Sequence, residues 1–364
     1  MKTKLCGAVA FLLGIFNAAA QADILIGVAG PMTGEYATGG EQIRRGAEMA
    51  VADINAKGGV LGQKLQLEVG DDVCDPKRAV TVAQQMVAKK VAFVYGHWCS
   101  GATIPASVVY SDASILEVTH ASNPLITERG LKNIFRIFGR DDQQGQVAAT
   151  FITRRFKDKK IAVVDDKSTY GKGIAAQIAK NMQLSGMKPA LLESIDPGEK
   201  DYSALISKLK DAGIDTMAYG GYHTEVGMIL RQAHEAGLKL TIVGGDSLSN
   251  SELVTLAGPA IDHVIFTFAP DHRKDPAAAN VVRRFREAKI EPEGYVMYAY
   301  AGVQLFVQAA ERARSFKYSD LQKTVSEGSF DTVIGKLSFD SKGDSRAPGF
   351  IVYQWKGNRY DNVR

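Results

Sequence analysis

The sequence predicts an α/β protein of two lobes, each a mostly parallel sheet flanked by helices. The chain has 364 residues, room for two domains at roughly 100–200 residues apiece. Short β-branched runs alternate with amphipathic stretches, which is the punctuation of βαβ units. This alternation runs once from residue 24 to 119 and starts again at residue 161, so two sheets are expected rather than one.

In the first series the strand candidates are 24–29, 64–69, 91–95 and 115–119, with helices expected at 42–55, 79–89 and 103–111. In the second, strands are expected at 161–164, 191–194, 216–219, 241–243 and 264–268, with helices at 173–184, 202–211 and 225–236. The last third offers helices at 277–288, 295–313 and 318–326 and only two strand-like runs, 336–339 and 350–355. Too few strands remain for a third domain. The expected division is therefore 23–140 with 271–346 as one lobe, and 141–270 with 347–364 as the other. Gly139-Arg140-Asp141 and Pro270-Asp271 are the expected crossings.

Hydrophobic residues make up 45% and charged residues 23%, ordinary values that argue against disorder and against a polytopic membrane protein. A net charge of +4 gives no footprint for nucleic acid. Lys2 and Lys4 precede an apolar run from Leu5 to Phe16, and small residues end at Ala20-Gln21-Ala22. That order reads as a signal peptide over residues 1–22, cleaved before Asp23; the run is shorter than the roughly 20 residues that span a bilayer. Export leaves Cys74 and Cys99 in an oxidising compartment, where two thiols most simply form one disulfide. A zinc site on Cys74, His97, Cys99 and His120 is the rival, against which stands the absence of the close cysteine spacing common in zinc sites.

Ligands of open parallel sheets bind at the carboxyl ends of the strands, so the loops after Tyr95, Thr119, Val164, Tyr219 and Val243 are the places to look. After Tyr95 comes Gly96-His97-Trp98-Cys99-Ser100-Gly101; Ser100 stands at an expected helix N-cap, where free N–H groups and the helix dipole attract an anion. After Thr119 comes His120-Ala121-Ser122-Asn123-Pro124, suited to a carboxylate or ammonium, or to an ordinary Asx turn. Asp246, in Gly244-Gly245-Asp246-Ser247, is either a partner for a cation or a helix cap. Gly171-x-Gly173-x-x-Ala176 formally matches a dinucleotide fingerprint, but its first glycine stands too far beyond Val164 for the tight turn that motif needs. A nucleophile elbow fails because Ser249 stands where glycine is required. An exported nucleotide-dependent enzyme is thus the weakest of the functional readings, and no cofactor or metal is expected.

These residues resemble the bacterial periplasmic branched-chain amino-acid-binding proteins, the Leu/Ile/Val receptors of ABC importers with the type I periplasmic-binding fold. The similarity extends over nearly all of the chain after residue 22, through AVADINAKGG at 50–59, GDDVCDPKRAV at 70–80, YGHWCSGAT at 95–103 and DKSTYGKG at 166–173. It continues through GEKDYSALISKLK at 198–210, YGGYHTEVGMILRQAHEAGLK at 219–239 and DTVIGKLSFDSKGD at 331–344. The resemblance implies three crossovers between lobes, a Cys74–Cys99 bond, and closure on an amino acid without chemistry. It implies that Ser100 holds the ligand carboxylate, that the Ala121 carbonyl and Asp246 take the ammonium, and that Tyr170 and Tyr222 close from the second lobe. Partners would be an aliphatic or aromatic L-amino acid and, transiently, an inner-membrane permease, with the receptor itself a monomer.

Departures from the family pattern fall in the pocket. Asp246 stands where the family has glutamate, Ser122-Asn123 replace a threonine with one residue fewer before the proline, and Trp98 replaces a leucine. The aromatic residue of the first loop falls on Gly39, with Tyr36 nearby as a partial substitute. The main alternative on this fold is a receptor for aromatic or other amino-group-free carboxylates. Asp246 opposes that alternative, since an unpaired buried carboxylate beside an anionic ligand is costly.

Overall fold

Two separate sheets organise the chain, whose computed structural model describes residues 23–346 and 349–363; the expected leader lies outside these residues. The first series is β1 (Ile24–Gly30), α1 (Ala37–Ala56), β2 (Leu65–Asp71), α2 (Pro76–Ala88), β3 (Phe93–Tyr95), α3 (Ser100–Asp112), β4 (Leu116–Thr119), α4 (Leu125–Glu128) and β5 (Ile134–Arg136). Its five strands are all parallel, in the order β2-β1-β3-β4-β5. Strands β3 and β4 are buried along their whole length, as expected for a parallel sheet covered by helices on both faces.

The second series is α5 (Asp141–Arg155), β6 (Ile161–Asp165), α6 (Thr169–Leu184), β7 (Leu191–Ser194), α7 (Ser203–Asp211), β8 (Thr216–Gly220), α8 (His223–Glu235), β9 (Thr241–Gly244), α9 (Glu252–Ala257) and β10 (Val264–Phe268). The chain then adds α10 (Ala279–Glu287), α11 (Val296–Ala313) and α12 (Tyr318–Glu327), and α11 packs along α1 beneath the first sheet. A hairpin of β11 (Phe330–Thr332) and β12 (Gly335–Leu337) follows. Finally β13 (Ile351–Lys356) and β14 (Arg359–Asn362) join the edge of the second sheet, antiparallel, to give β14-β13-β10-β9-β8-β6-β7. The chain therefore passes between the sheets three times, at 137–140, at 269–271 and after Arg346.

Most expected strands fall within two residues of their observed bounds, but α5, β5 and β14 carried no sequence signal. The buried face of α5 shows why: it comprises Asp141, Gln144, Gly145, Ala148, Ala149 and Ile152, a helical period written largely in small and polar residues rather than apolar ones. Gly145 is required there because a Cβ would lie 2.5 Å from Cβ of Gln177, so α5 and α6 meet backbone to backbone. The strand expected at 336–339 is present as β12 (335–337), and the strand it pairs with, β11 at 330–332, was not expected.

Cys74 and Cys99 form a disulfide with Cα atoms 5.5 Å apart. The bond excludes the zinc alternative and ties the loop after β2 to the one after β3, so it braces the first turn of α3. Replacing both cysteines by serine should cost about 3 kcal/mol of stability by the loop-entropy model for a loop of about 25 residues. Urea titration would read this, and a cost below about 1 kcal/mol would deny the bond a stabilising role.

Candidate functional site

The carboxyl ends of β3, β4, β6, β8 and β9 converge between the sheets on one small, nearly filled cavity. Its walls are Trp98, Ser100, His120, Ala121 and Ser122 from the first sheet's loops, Tyr170, Tyr222, Asp246 and Ser247 from the second's, and Tyr295 before α11. Seven of the eight residues singled out in the sequence stand here. Asn123 does not: its Nδ2 donates to the Thr169 carbonyl (3.0 Å) and its Oδ1 accepts from Leu125 N–H (3.0 Å). That amide is engaged at both ends, in an Asx turn and an interlobe contact, which leaves it one Nδ2 proton.

Asp246 is the electrostatic centre. It is buried, and its carboxylate accepts from Gln144 Nε2 (2.9 Å), from Tyr170 Oη–H (2.9 Å) and from Tyr295 Oη–H. The helix-cap reading is thereby replaced, since the oxygens serve side chains of three different elements. Burial raises the Asp246 carboxyl above its ordinary value, and the three hydrogen bonds only partly offset this. Asp141, fully buried at the start of α5, is pushed well up by burial and by the nearby charge of Asp246. Among the described residues, no lysine or arginine lines the cavity. Two buried acids beside a cavity with no cation of its own leave a favourable place for one.

The anionic end is built differently from the sequence expectation. The N-cap of α3 is Cys99, and Ser100 is the first helical residue; its hydroxyl accepts from Asn123 N–H (3.3 Å) and caps nothing. A hydroxyl retains one proton to donate, and the dipole of α3 favours negative charge at this end. The Ala121 carbonyl, expected to take an ammonium, already accepts from Arg136 Nη1 (3.1 Å). One lone pair remains to it.

Aromatic rings make the rest of the wall. Tyr222 lies 5.2 Å from Tyr170, 5.3 Å from Trp98 and 4.6 Å from Tyr36 between ring centroids. The loss of an aromatic at position 39 and the gain of one at 98 are a single exchange: a Cβ on Gly39 would sit 2.5 Å from Cε2 of Trp98. Trp98, not Tyr36, fills that space, while Tyr36 reaches across to the second lobe and donates to Glu225 Oε1 (3.2 Å).

Tyr295 and Gln144 were invisible in the sequence. Tyr295 precedes a helix in the return segment, with no strand before it for the strand-end rule to use, and Gln144 belongs to the helix whose period is hidden.

The chain as a whole has known relatives. Residues 23–359 match the family described as periplasmic binding protein. The chain belongs to that family. The Leu/Ile/Val-binding protein homolog 1 of Brucella melitensis is 46% identical over 357 residues, covering 98% of this chain and 96% of that one. The crystal structure of the branched-chain amino acid transporter substrate-binding protein LivJ from Streptococcus pneumoniae, in complex with isoleucine, is 25% identical. It superposes with a TM-score of 0.84 over 94% of this chain and 99% of that one. A solute-binding protein from R. palustris in complex with benzoate shares the fold alone, at 19% identity and a TM-score of 0.84 over 94% and 95% of the two chains. By these relatives the chain is a periplasmic binding protein of the branched-chain amino-acid transporter type, a solute receptor family rather than an enzyme family.

Proposed function

We propose that this binding protein is exported, with cleavage before Asp23, and delivers a neutral L-amino acid to an inner-membrane ABC permease as a monomer. Asp246 carries the reading: a buried carboxylate, held by three donors and lacking any cation, matches an α-ammonium. The first turn of α3 and the Ser100 hydroxyl take the α-carboxylate, and the free lone pair of Ala121 gives the ammonium a second acceptor. Tyr170 and Tyr222 cover the ligand from the second lobe. The two lobes, 23–140 with 271–346 and 141–270 with 347–364, move as bodies about the three crossings, and ligand stabilises the closed arrangement by its differential affinity for it. Amino-group-free carboxylates fit less well, because they would place an anion beside Asp246.

A thermal-shift screen of ligand-stripped protein against the twenty L-amino acids and their deamino analogues tests this. Ligand at a hundred times its dissociation constant stabilises by about 2.7 kcal/mol. Shifts with amino acids and none with the deamino acids are expected; the opposite pattern would move the protein to the carboxylate receptors.

Closure should also respond to pH. Glu225 is buried and accepts from Tyr36 Oη–H across the cleft and from Gly198 N–H (both 3.2 Å). Burial, reinforced by Glu35 and Asp166, pushes its carboxyl up to about 7 from 4.5. Opening returns it to water and to its ordinary value, so closing takes up a proton between these limits. The advantage of the closed form is complete below 4.5 and is lost as pH rises through about 7. The ratio of wild-type to Glu225→Gln affinity should fall by up to roughly seventyfold between pH 5 and 8; calorimetry showing a flat ratio would remove Glu225 from closure.

A further inference from the structure

Two buried nitrogen atoms in the cavity-lining residues have no hydrogen-bond partner among the described residues: Nε2 of His120 and Nε1 of Trp98. Both side chains are almost wholly enclosed, at 2% and 5% exposure, and such groups are ordinarily paired. His120 lies one ring beyond the ammonium site, 4.3 Å from the Tyr295 ring whose hydroxyl holds Asp246.

The state of the imidazole follows from its other nitrogen. Nδ1 is 2.9 Å from Tyr95 Oη, and Tyr95 is fully buried with no other side-chain partner in the structure. The Tyr95 proton is satisfied only by donation to Nδ1, which leaves the imidazole proton on Nε2. Burial holds His120 far below its usual range, at about 3, so the ring is neutral. The indole Nε1 is a donor in any case. The Nε1 edge of the indole, however, lies against α1, where a Cβ on Gly39 would sit 2.9 Å from it; His120 Nε2–H is the unpartnered donor left to the cavity-lining residues, and no lysine or arginine among the described residues lines the cavity with it.

We infer that the ligand carries an uncharged acceptor oxygen on its side chain, a hydroxyl or a carboxamide, which receives a hydrogen bond from His120 Nε2–H. The aromatic walls accept the hydrocarbon part of such a side chain. A carboxylate there would be a second anion near Asp246 without a counter-charge, and is excluded on the same physical ground as the amino-group-free acids. This rests on the proposal that the cleft holds an L-amino acid by its ammonium and carboxylate.

Isosteric pairs isolate the side-chain oxygen. Calorimetry on the ligand-stripped full-length mature chain would compare threonine with valine, and asparagine with leucine. The polar member of at least one pair should bind roughly tenfold tighter or more, since burying an unmet donor costs on that scale. That preference should shrink to near unity in His120→Phe and in His120→Met, two variants that remove the donor; having both guards against one failing to fold. Equal or tighter binding of valine and leucine by wild type overturns the inference while leaving an amino-acid receptor. Binding of none of the four, with binding of a deamino acid, overturns the amino-acid reading itself.

Discussion

Asp246→Asn should abolish tight ligand binding while leaving the unliganded protein as stable as wild type or more so. Losing one partner of a buried, hydrogen-bonded charge pair typically costs 2–5 kcal/mol, roughly thirty- to several-thousand-fold in affinity. Stability moves the other way because of the surroundings of Asp246 in the empty cleft. Burial and the neighbouring Asp141 make an ionised carboxylate there unfavourable, as the raised values of both acids show. A group whose folded value is raised stabilises fully below its unfolded value and loses that contribution as pH rises through the folded one. Near neutral pH Asp246 is thus a cost to the empty protein, and an amide of the same shape removes it while still accepting from a tyrosine hydroxyl. Paired calorimetry and thermal melts at pH 5 and 7.5 would read both effects. Retained affinity would sink the ammonium assignment; a large loss of stability in the unliganded variant would make Asp246 a structural residue.

The pocket was partly legible in sequence because four of its five loops follow strands with clear β-branched runs, so the strand-end rule pointed at Ser100, Ala121, Ser122, Tyr170, Tyr222 and Asp246. What was not legible depended on partners distant in the chain. Trp98 and Gly39 read as two separate losses of family pattern, and only the packing of the indole over the glycine shows them to be one change. Asn123 has the right chemistry for a carboxylate, but Thr169 in the other lobe takes one of its two amide protons and its side chain stands outside the cavity wall. Tyr295 and Gln144 reach Asp246 from elements with no strand ahead of them. Spacing locates loops; it does not say which donors in a loop are already taken.

Arg136→Met should be the most destabilising single change near the site. Arg136 ends β5, is fully buried, and donates to Asp344 Oδ1 from Nε (2.9 Å) and Nη2 (2.7 Å). The remaining donors go to Thr127 Oγ1 (2.6 Å) and to the carbonyls of Ala121 (3.1 Å) and Asn123 (2.8 Å). One guanidinium thus joins the returning segment at 344 to the loop that carries half of the pocket's polar wall. Removing it leaves Asp344 with Arg140 (2.7 Å) as its one cationic partner among the described residues, beside the Thr127 hydroxyl (3.0 Å), and leaves two loop carbonyls without their side-chain donor. Breaking a buried pair from one side costs about 3–5 kcal/mol, which at roughly 2 °C per kcal/mol for a chain of this size lowers the melting temperature by about 6–10 °C. Asp344, held below its ordinary value by Arg136 and Arg140 against the opposing effect of burial, stabilises above its unfolded value and loses this as pH falls through the folded one. The acid side of the stability profile should therefore flatten in the variant. Arg136→Lys keeps the charge but not the planar fork, and should recover only part of the loss; Arg136→Met with Asp344→Leu should recover more, because the stranded charge is gone. If Arg136→Met melts within 2 °C of wild type, the loop is held by its own turn, and the pocket does not depend on the return of the chain to the first lobe.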